Sequence, residues 1–121
     1  MINIRNKTSE NLLLHSQKLE KGMFKKGYKS PDKIEPGKEI CCKLVACEGQ
    51  CEGGADIEGW IKYSFEKQGG SCKLHFKYRR KEEQLTHSCT CLEEGGRAIS
   101  CEHLPEKQNK KKINWTISPK S

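Results

Sequence analysis

The sequence predicts an all-β protein, an antiparallel β-sandwich, and three observations carry that prediction. Apolar and polar residues alternate in short runs, glycine pairs punctuate those runs, and no segment sustains the apolar stripe of a helix. The alternation is cleanest in "CKLHFKYR", where Leu74, Phe76 and Tyr78 share one face and Lys73, His75, Lys77 and Arg79 the other. The glycine pairs are Gly53–Gly54, Gly69–Gly70 and Gly95–Gly96.

Taken in order, "INI" at Ile2 to Ile4 opens a strand. "SENLLLHSQKLEKG" is the best helical candidate, because Leu12, Leu13 and Leu19 could share a helical face capped by Ser9. Its "LLL" cluster equally suits a buried strand, and a strand is the expectation. "IKYSF" at Ile61 to Phe65 alternates again, and "QGGSC" reads as the hairpin loop that returns the chain into Leu74. "INWTIS" closes the pattern, with Ile113, Trp115 and Ile117 inward and Asn114 and Thr116 outward. The charged run "EKQNKKK", Glu106 to Lys112, reads as a solvated loop before that last strand. Nothing resembles a linker or an internal repeat, so residues 1–121 form one domain.

A mean hydropathy of −0.88 with 33% apolar residues makes for a lean core. Cross-links often support such a core, and eight cysteines are present to supply them. The formal charge of +7 favours encounter with anionic partners, which is a statement about approach and not about specificity. Met1 runs directly into "INIRN" with no apolar leader region, and no run reaches the length of a membrane span. A soluble or membrane-surface protein is therefore expected, with no signal peptide in the chain. "NKT" at Asn6 and "NWT" at Asn114 are glycosylation sequons and fit a secreted protein.

The cysteines fall as Cys41, Cys42, Cys47 and Cys51, then Cys72, then Cys89 and Cys91, then Cys101. Structural zinc sites usually present two short-spaced pairs on tight turns, and these spacings do not match. A C-x-C in a strand simply puts both side chains on one face. His87 and His103 lie close enough in sequence to keep a Cys/His zinc site as an alternative. Disulfide stapling is the preferred reading for all eight, each bridge stabilising the fold by roughly 2–4 kcal/mol. Adjacent Cys41 and Cys42 point to opposite faces of a strand and would pair with different partners.

His15, His75, His87 and His103 are scattered, and the chain has no nucleophile elbow, metalloprotease motif or phosphate-binding glycine loop. An enzyme is not expected, nor is a cofactor or bound metal. Glu58 beside Gly59 reads as a turn or strand-end residue. The basic stripe "KYRRK" could follow phosphates, but Tyr78 falls on the inward face, so its cations read as the wet side of a strand. No nucleic-acid partner is expected. If Ile61, Tyr63 and Phe65 face the core, Trp60 faces outward beside Lys62. An indole next to an ammonium suits a membrane interface. Phe24 and Tyr28, spaced by Lys25 and Lys26, likewise fit an exposed loop that touches a headgroup layer.

The order of motifs resembles the aegerolysin family. "INIRNKTSENLLLHSQKLEKGMFKKGYKSPDKI" looks like the family's opening, with an I-x-I-x-N-x-T strand, a second apolar strand and a G-x-F stretch. "IEPGKEI" and "GGADIEGWIKYSF" resemble its middle, and "KINWTIS" its closing strand. The pattern is also similar to the small component of two-component insecticidal crystal toxins. The resemblance implies an aegerolysin-type β-sandwich that recognises a membrane lipid or receptor and recruits a larger pore-forming partner. It further implies a protein released to act at target-cell membranes. The cysteine-rich "CCKLVACEGQC" and "CTCLEEGGRAISC" have no counterpart in that family, and "HLPEKQNKKK" stands where many members carry tryptophans. Two other readings stand beside it: a secreted, disulfide-rich defence or inhibitor-type interaction protein, and a zinc-binding, nucleic-acid-associated domain.

Overall fold

The computed structural model describes residues 2–45, 56–67, 70–79, 84–92, 99–105 and 113–119; for 92, 99–105 and 119 only the backbone is described. It is all-β, with no helix among the described residues. The strands are β1 (Ile2–Asn6), β2 (Leu12–Lys21), β3 (Met23–Phe24), β4 (Lys33–Ile34), β5 (Glu39–Cys42) and β6 (Leu44–Val45). They continue as β7 (Ile57–Phe65), β8 (Ser71–Arg79), β9 (Gln84–Leu92), β10 (Ile99–Pro105) and β11 (Ile113–Pro119). Two sheets result, a four-stranded one in the order β10-β11-β1-β5 and a five-stranded one in the order β4-β2-β7-β8-β9, with a small β3-β6 ribbon beside them.

Alternation in sequence becomes alternation in burial. Ile2, Ile4, Ile113, Trp115 and Ile117 from the first sheet share one core with Leu12, Ile61, Tyr63, Leu74 and Phe76 from the second. Tyr63 and Trp115 meet across that core, their ring centroids 6.3 Å apart. Trp115 is fully buried, and its indole N–H is the one buried side-chain polar atom without a partner among the described residues. Tyr63 is anchored at its tip, where its hydroxyl donates to the Pro31 carbonyl at 2.8 Å.

One pairing departs from the antiparallel expectation. β1 runs parallel to β11, with Ile4 opposite Trp115, while β5 flanks β1 antiparallel on its other side. Alternation fixes which face of a strand is buried and is silent on strand direction, so the first sheet is mixed. The stretch read as strand or helix is a strand, β2, and its ambiguity has a cause. Register shifts at His15 and Glu20 insert an extra residue each time. The inward register positions therefore run Leu12, Leu14, Gln17, Leu19, their parity changing midway, and Gln17 among them is exposed. Leu13 falls on the outer face opposite Ser64.

The cysteines divide into two groups. Cys72 and Cys91 stand directly opposite each other on β8 and β9, with Cα atoms 4.1 Å apart, and are bridged. Cys89 shares their inward face and is also disulfide-bonded. Cys41 and Cys42 do lie on opposite faces of β5, as expected, but both are free thiols, which corrects the expectation that each is stapled. Cys42 lies opposite Ile2 in the core, and burial, reinforced by Cys41, pushes its thiol up to about 12. Cys47 and Cys51 and the side chain of Cys101 lie outside the described residues, as do 106–112 and Gly53, Gly54, Gly69, Gly95 and Gly96.

Candidate functional site: an aromatic rim and a basic sheet face

The Asn6 sequon is the clearest correction. Asn6 is fully buried at the end of β1. Its amide donates to the carbonyls of Glu10 and Ile34, both at 2.9 Å, and its side-chain oxygen accepts from the Thr8 amide at 2.9 Å and the Thr8 hydroxyl at 2.6 Å. All the hydrogen-bonding capacity of Asn6 is directed inward, pinning the turn after β1 and strand β4, so the folded protein offers no acceptor for a glycan there. Asn114 lies on the half-exposed face of β11 and accepts from the Asn3 amide at 3.1 Å.

The first candidate surface is a rim built by β3, β6 and the turn that follows β3. Met23 pairs with Val45 and Phe24 with Leu44. The turn is tied down by backbone bonds from Lys25 N to the Lys43 carbonyl, Tyr28 N to the Lys25 carbonyl and Lys43 N to the Tyr28 carbonyl. Gly27 supplies the left-handed backbone, at φ 84°, that the turn requires. Its two expected aromatics part company. Phe24 is half-buried and packs against the core, because alternation along β3 turns Met23 out and Phe24 in. Tyr28 is exposed, and the ammonium groups of Lys43 and Lys25 sit 4.3 and 5.8 Å from its ring centroid. Lys26 is exposed on the same turn. Lys43 was not singled out from the sequence: it lies between Cys42 and Leu44, and only the pairing of β3 with β6 brings it to the tyrosine.

The second is the outer face of the five-stranded sheet. Register places Lys62 opposite Lys73, Trp60 opposite His75 and Glu58 opposite Lys77 across β7 and β8. On the β2 side, Ser16 lies opposite Lys62 and Lys18 opposite Trp60. On the β9 side, Thr90, Ser88, Thr86 and Gln84 oppose Lys73, His75, Lys77 and Arg79 in turn. Trp60 does face outward beside Lys62, but it is half-buried, and the cation over its ring is the Lys73 ammonium at 4.3 Å. Glu58 lies within β7 and approaches Lys77 at 3.9 Å. A shallow depression of about 260 Å³ opens here, lined by Glu58, His75, Lys77, Thr86 and Ser88 among others.

Gly59 allows β2 to lie close against β7. A Cβ there would stand 2.5 Å from the Lys18 carbonyl oxygen and 2.9 Å from a Leu19 methyl. It therefore helps seat Lys18 and Trp60 side by side. Three cysteines, Cys72, Cys89 and Cys91, are engaged in disulfides and have no thiolate to offer a metal. Among the described residues no group of three His, Cys, Asp or Glu side chains comes together. No helix of the described residues is long and apolar enough to cross a membrane. In comparisons with known proteins, no family model matches the chain and no curated protein matches it.

Proposed function

We propose that this is an aegerolysin-like, non-enzymatic protein that binds a membrane surface, through a lipid or a receptor, as the recognition component of a two-component pore-forming system. It docks on a target-cell membrane and then presents a platform to a larger pore-forming partner. The observation that carries the membrane reading is the rim: among the described residues Tyr28 and Met23 are the exposed large hydrophobic ones, and two lysines flank the tyrosine. A ring of this kind rests at headgroup depth while its ammonium neighbours meet phosphate. Lys26, Trp60 and Lys62 add charge and interfacial surface.

Co-sedimentation with vesicles at physiological salt tests this reading. Binding to one neutral composition, such as sphingolipid with sterol, and its loss in Tyr28→Ala would support a lipid reader. Binding confined to anionic vesicles and fading with salt would reduce the rim to charge alone. A second reading, a secreted disulfide-rich interaction protein, is favoured by the oxidised Cys72, Cys89 and Cys91. Intact mass with and without reductant after alkylation separates the two, because a chain whose thiols are all free when isolated without reductant contradicts the stapled scaffold.

A further inference from the structure

We propose that the outer face of β8 and β9 is a binding track for an extended acidic polysaccharide. Four basic side chains, Lys73, His75, Lys77 and Arg79, occupy alternate positions of one strand. Such positions recur about every 6.8 Å, so the column spans about 20 Å. Each member stands opposite a neutral hydrogen-bonding residue on β9: Thr90, Ser88, Thr86 and Gln84. A ladder of three cations and an imidazole beside a ladder of hydroxyl and amide groups complements a linear polymer that carries anionic groups at intervals, with hydroxyls between them.

Two features choose the polymer. The depression beside the column is lined by Glu58 together with His75, Lys77, Thr86 and Ser88. A carboxylate on a basic track weakens the attraction of any polyanion, but it accepts hydrogen bonds from sugar hydroxyls, which a DNA phosphodiester chain lacks. Binding of single-stranded nucleic acid draws on aromatic side chains for base stacking. The outward residues of β8 and β9 include no Phe, Tyr or Trp, the imidazole of His75 is the one ring in the column, and Trp60 on β7 carries the Lys73 ammonium over its ring. The column also has no apolar side chain to enter a bilayer. Lys62 opposite Lys73 adds a reason for an anion to settle there, since like charges directly opposite on a sheet repel unless something lies between them. This inference does not depend on a membrane contact at Tyr28.

The test is titration of the full chain with three probes: a size-defined, heparin-derived oligosaccharide, an oligo-dT of equal charge, and phosphatidylserine vesicles. Two variants of equal charge loss are compared, Lys73→Gln/Lys77→Gln on the track and Arg5→Gln/Lys38→Gln away from it. Thermal melts confirm that each is folded. The track variant should lose about tenfold in affinity for the oligosaccharide, with the slope of log K against log salt reduced by about two, and the control should change little. Glu58→Ala decides by its sign, independently of the lysine variants. Removing an acid from a merely electrostatic surface tightens binding, whereas removing an acceptor for sugar hydroxyls weakens it. Equal losses in both double variants, tighter binding by Glu58→Ala, equal or stronger binding of oligo-dT, vesicle binding that falls in the track variant as far as oligosaccharide binding does, or no binding of the oligosaccharide would each overturn the proposal. Vesicle binding that Tyr28→Ala abolishes would survive that outcome, so this proposal and the membrane reading fail separately.

Discussion

At the end of β1 polar side chains turn inward, whereas along β8 they turn out, and the two regions hold their polar groups in opposite states. Asn6 has both of its amide donations and both lone-pair directions engaged by Thr8, Glu10 and Ile34, with no exposed surface left. On β8, among the described residues, Lys73 meets a tryptophan ring and no acid, while Lys77 has the Glu58 carboxylate at 3.9 Å. A polar group whose hydrogen bonds are spent inside the fold is there for stability. A cation brought beside others without matching acids is a cost to the fold, and that cost points to an anionic partner. The difference is measurable, because substitutions in the first region should cost stability while those in the second should leave it unchanged or raise it.

The largest effect is expected at Asn6. Asn6→Ala takes from the Ile34 carbonyl and the Thr8 amide the partner that Asn6 supplied, and leaves the Thr8 hydroxyl and the Glu10 carbonyl with their mutual bond at 3.1 Å. Each orphaned buried group costs about 1–3 kcal/mol, so a loss of about 3–5 kcal/mol in denaturant unfolding is expected. Asn6→Asp should recover only part of that loss, because it keeps the acceptor for Thr8 and loses both donations. A loss below about 1 kcal/mol for Asn6→Ala would mean that the turn after β1 is held by its backbone bonds alone.

Next comes the alkaline limb. Burial first, then Cys41, raises the Cys42 thiol from 9.0 to about 12, and burial carries the Tyr63 hydroxyl upward as well. A raised folded-state value means that the folded protein holds its proton more tightly than the unfolded chain. The resulting stability is fully present below pH 9 and is lost as the pH rises toward 12. Each pH step across that window should remove about 1.4 kcal/mol from the wild type relative to Cys42→Ala, up to about 4 kcal/mol. Parallel unfolding curves for the two proteins between pH 9 and 11 would contradict this. At neutral pH, Cys41 should alkylate well before Cys42.

How much of this was legible beforehand depended on whether a residue's role is set by its own strand or by its neighbours. The faces of β7, β8 and β11 follow from alternation alone, which is why Ile61, Tyr63, Leu74, Phe76 and Trp115 fall in the core as read. Strand direction does not follow from alternation, so the parallel β1–β11 pair was invisible. Nor do bulges, so β2 read ambiguously. Cys89 and Cys91 sharing a face was legible, but the Cys72–Cys91 bridge depends on the register of a hairpin. Asn6 carried a glycosylation signal that three residues can spell and only burial can cancel. The basic column of β8 was visible as a wet face. What the sequence lacked was the row of Thr86, Ser88 and Thr90 set against it, and the Glu58 depression, both products of sheet pairing.

Gly59 lies on the inward face of β7, opposite Phe76 and Leu19, and is buried where β2 meets β7. Its added methyl would meet backbone, the Lys18 carbonyl oxygen, which cannot rotate away. Gly59→Ala should therefore cost about 1–3 kcal/mol, in the range of overpacked sites, and should displace β2 from β7. Hydrogen exchange should show faster opening of β2 amides near Lys18 while those of β11 remain protected. Unchanged exchange in β2 would mean that β2 can shift without losing its pairing.

The smallest effect has the opposite sign and tests the comparison most directly. Lys62 and Lys73 face each other across β7 and β8, and neither forms an ion pair among the described residues. Like charges directly opposite on a sheet destabilise by roughly 0.2–1 kcal/mol. Lys62→Gln removes one of them and leaves a side chain of similar reach that can hydrogen-bond. Its folded state should therefore be more stable than the wild type by about that amount in low salt. The gain should shrink as added salt shortens the range of the repulsion to about 3 Å at 1 M. A residue held for stability loses it when replaced, as Asn6 should. A residue held for a partner can be replaced with a gain, and a salt-dependent gain at Lys62 would place it in that second class. A loss that ignores salt would instead show that the stem of Lys62 packs on the sheet, and the repulsion on this face would then no longer argue for an anionic partner.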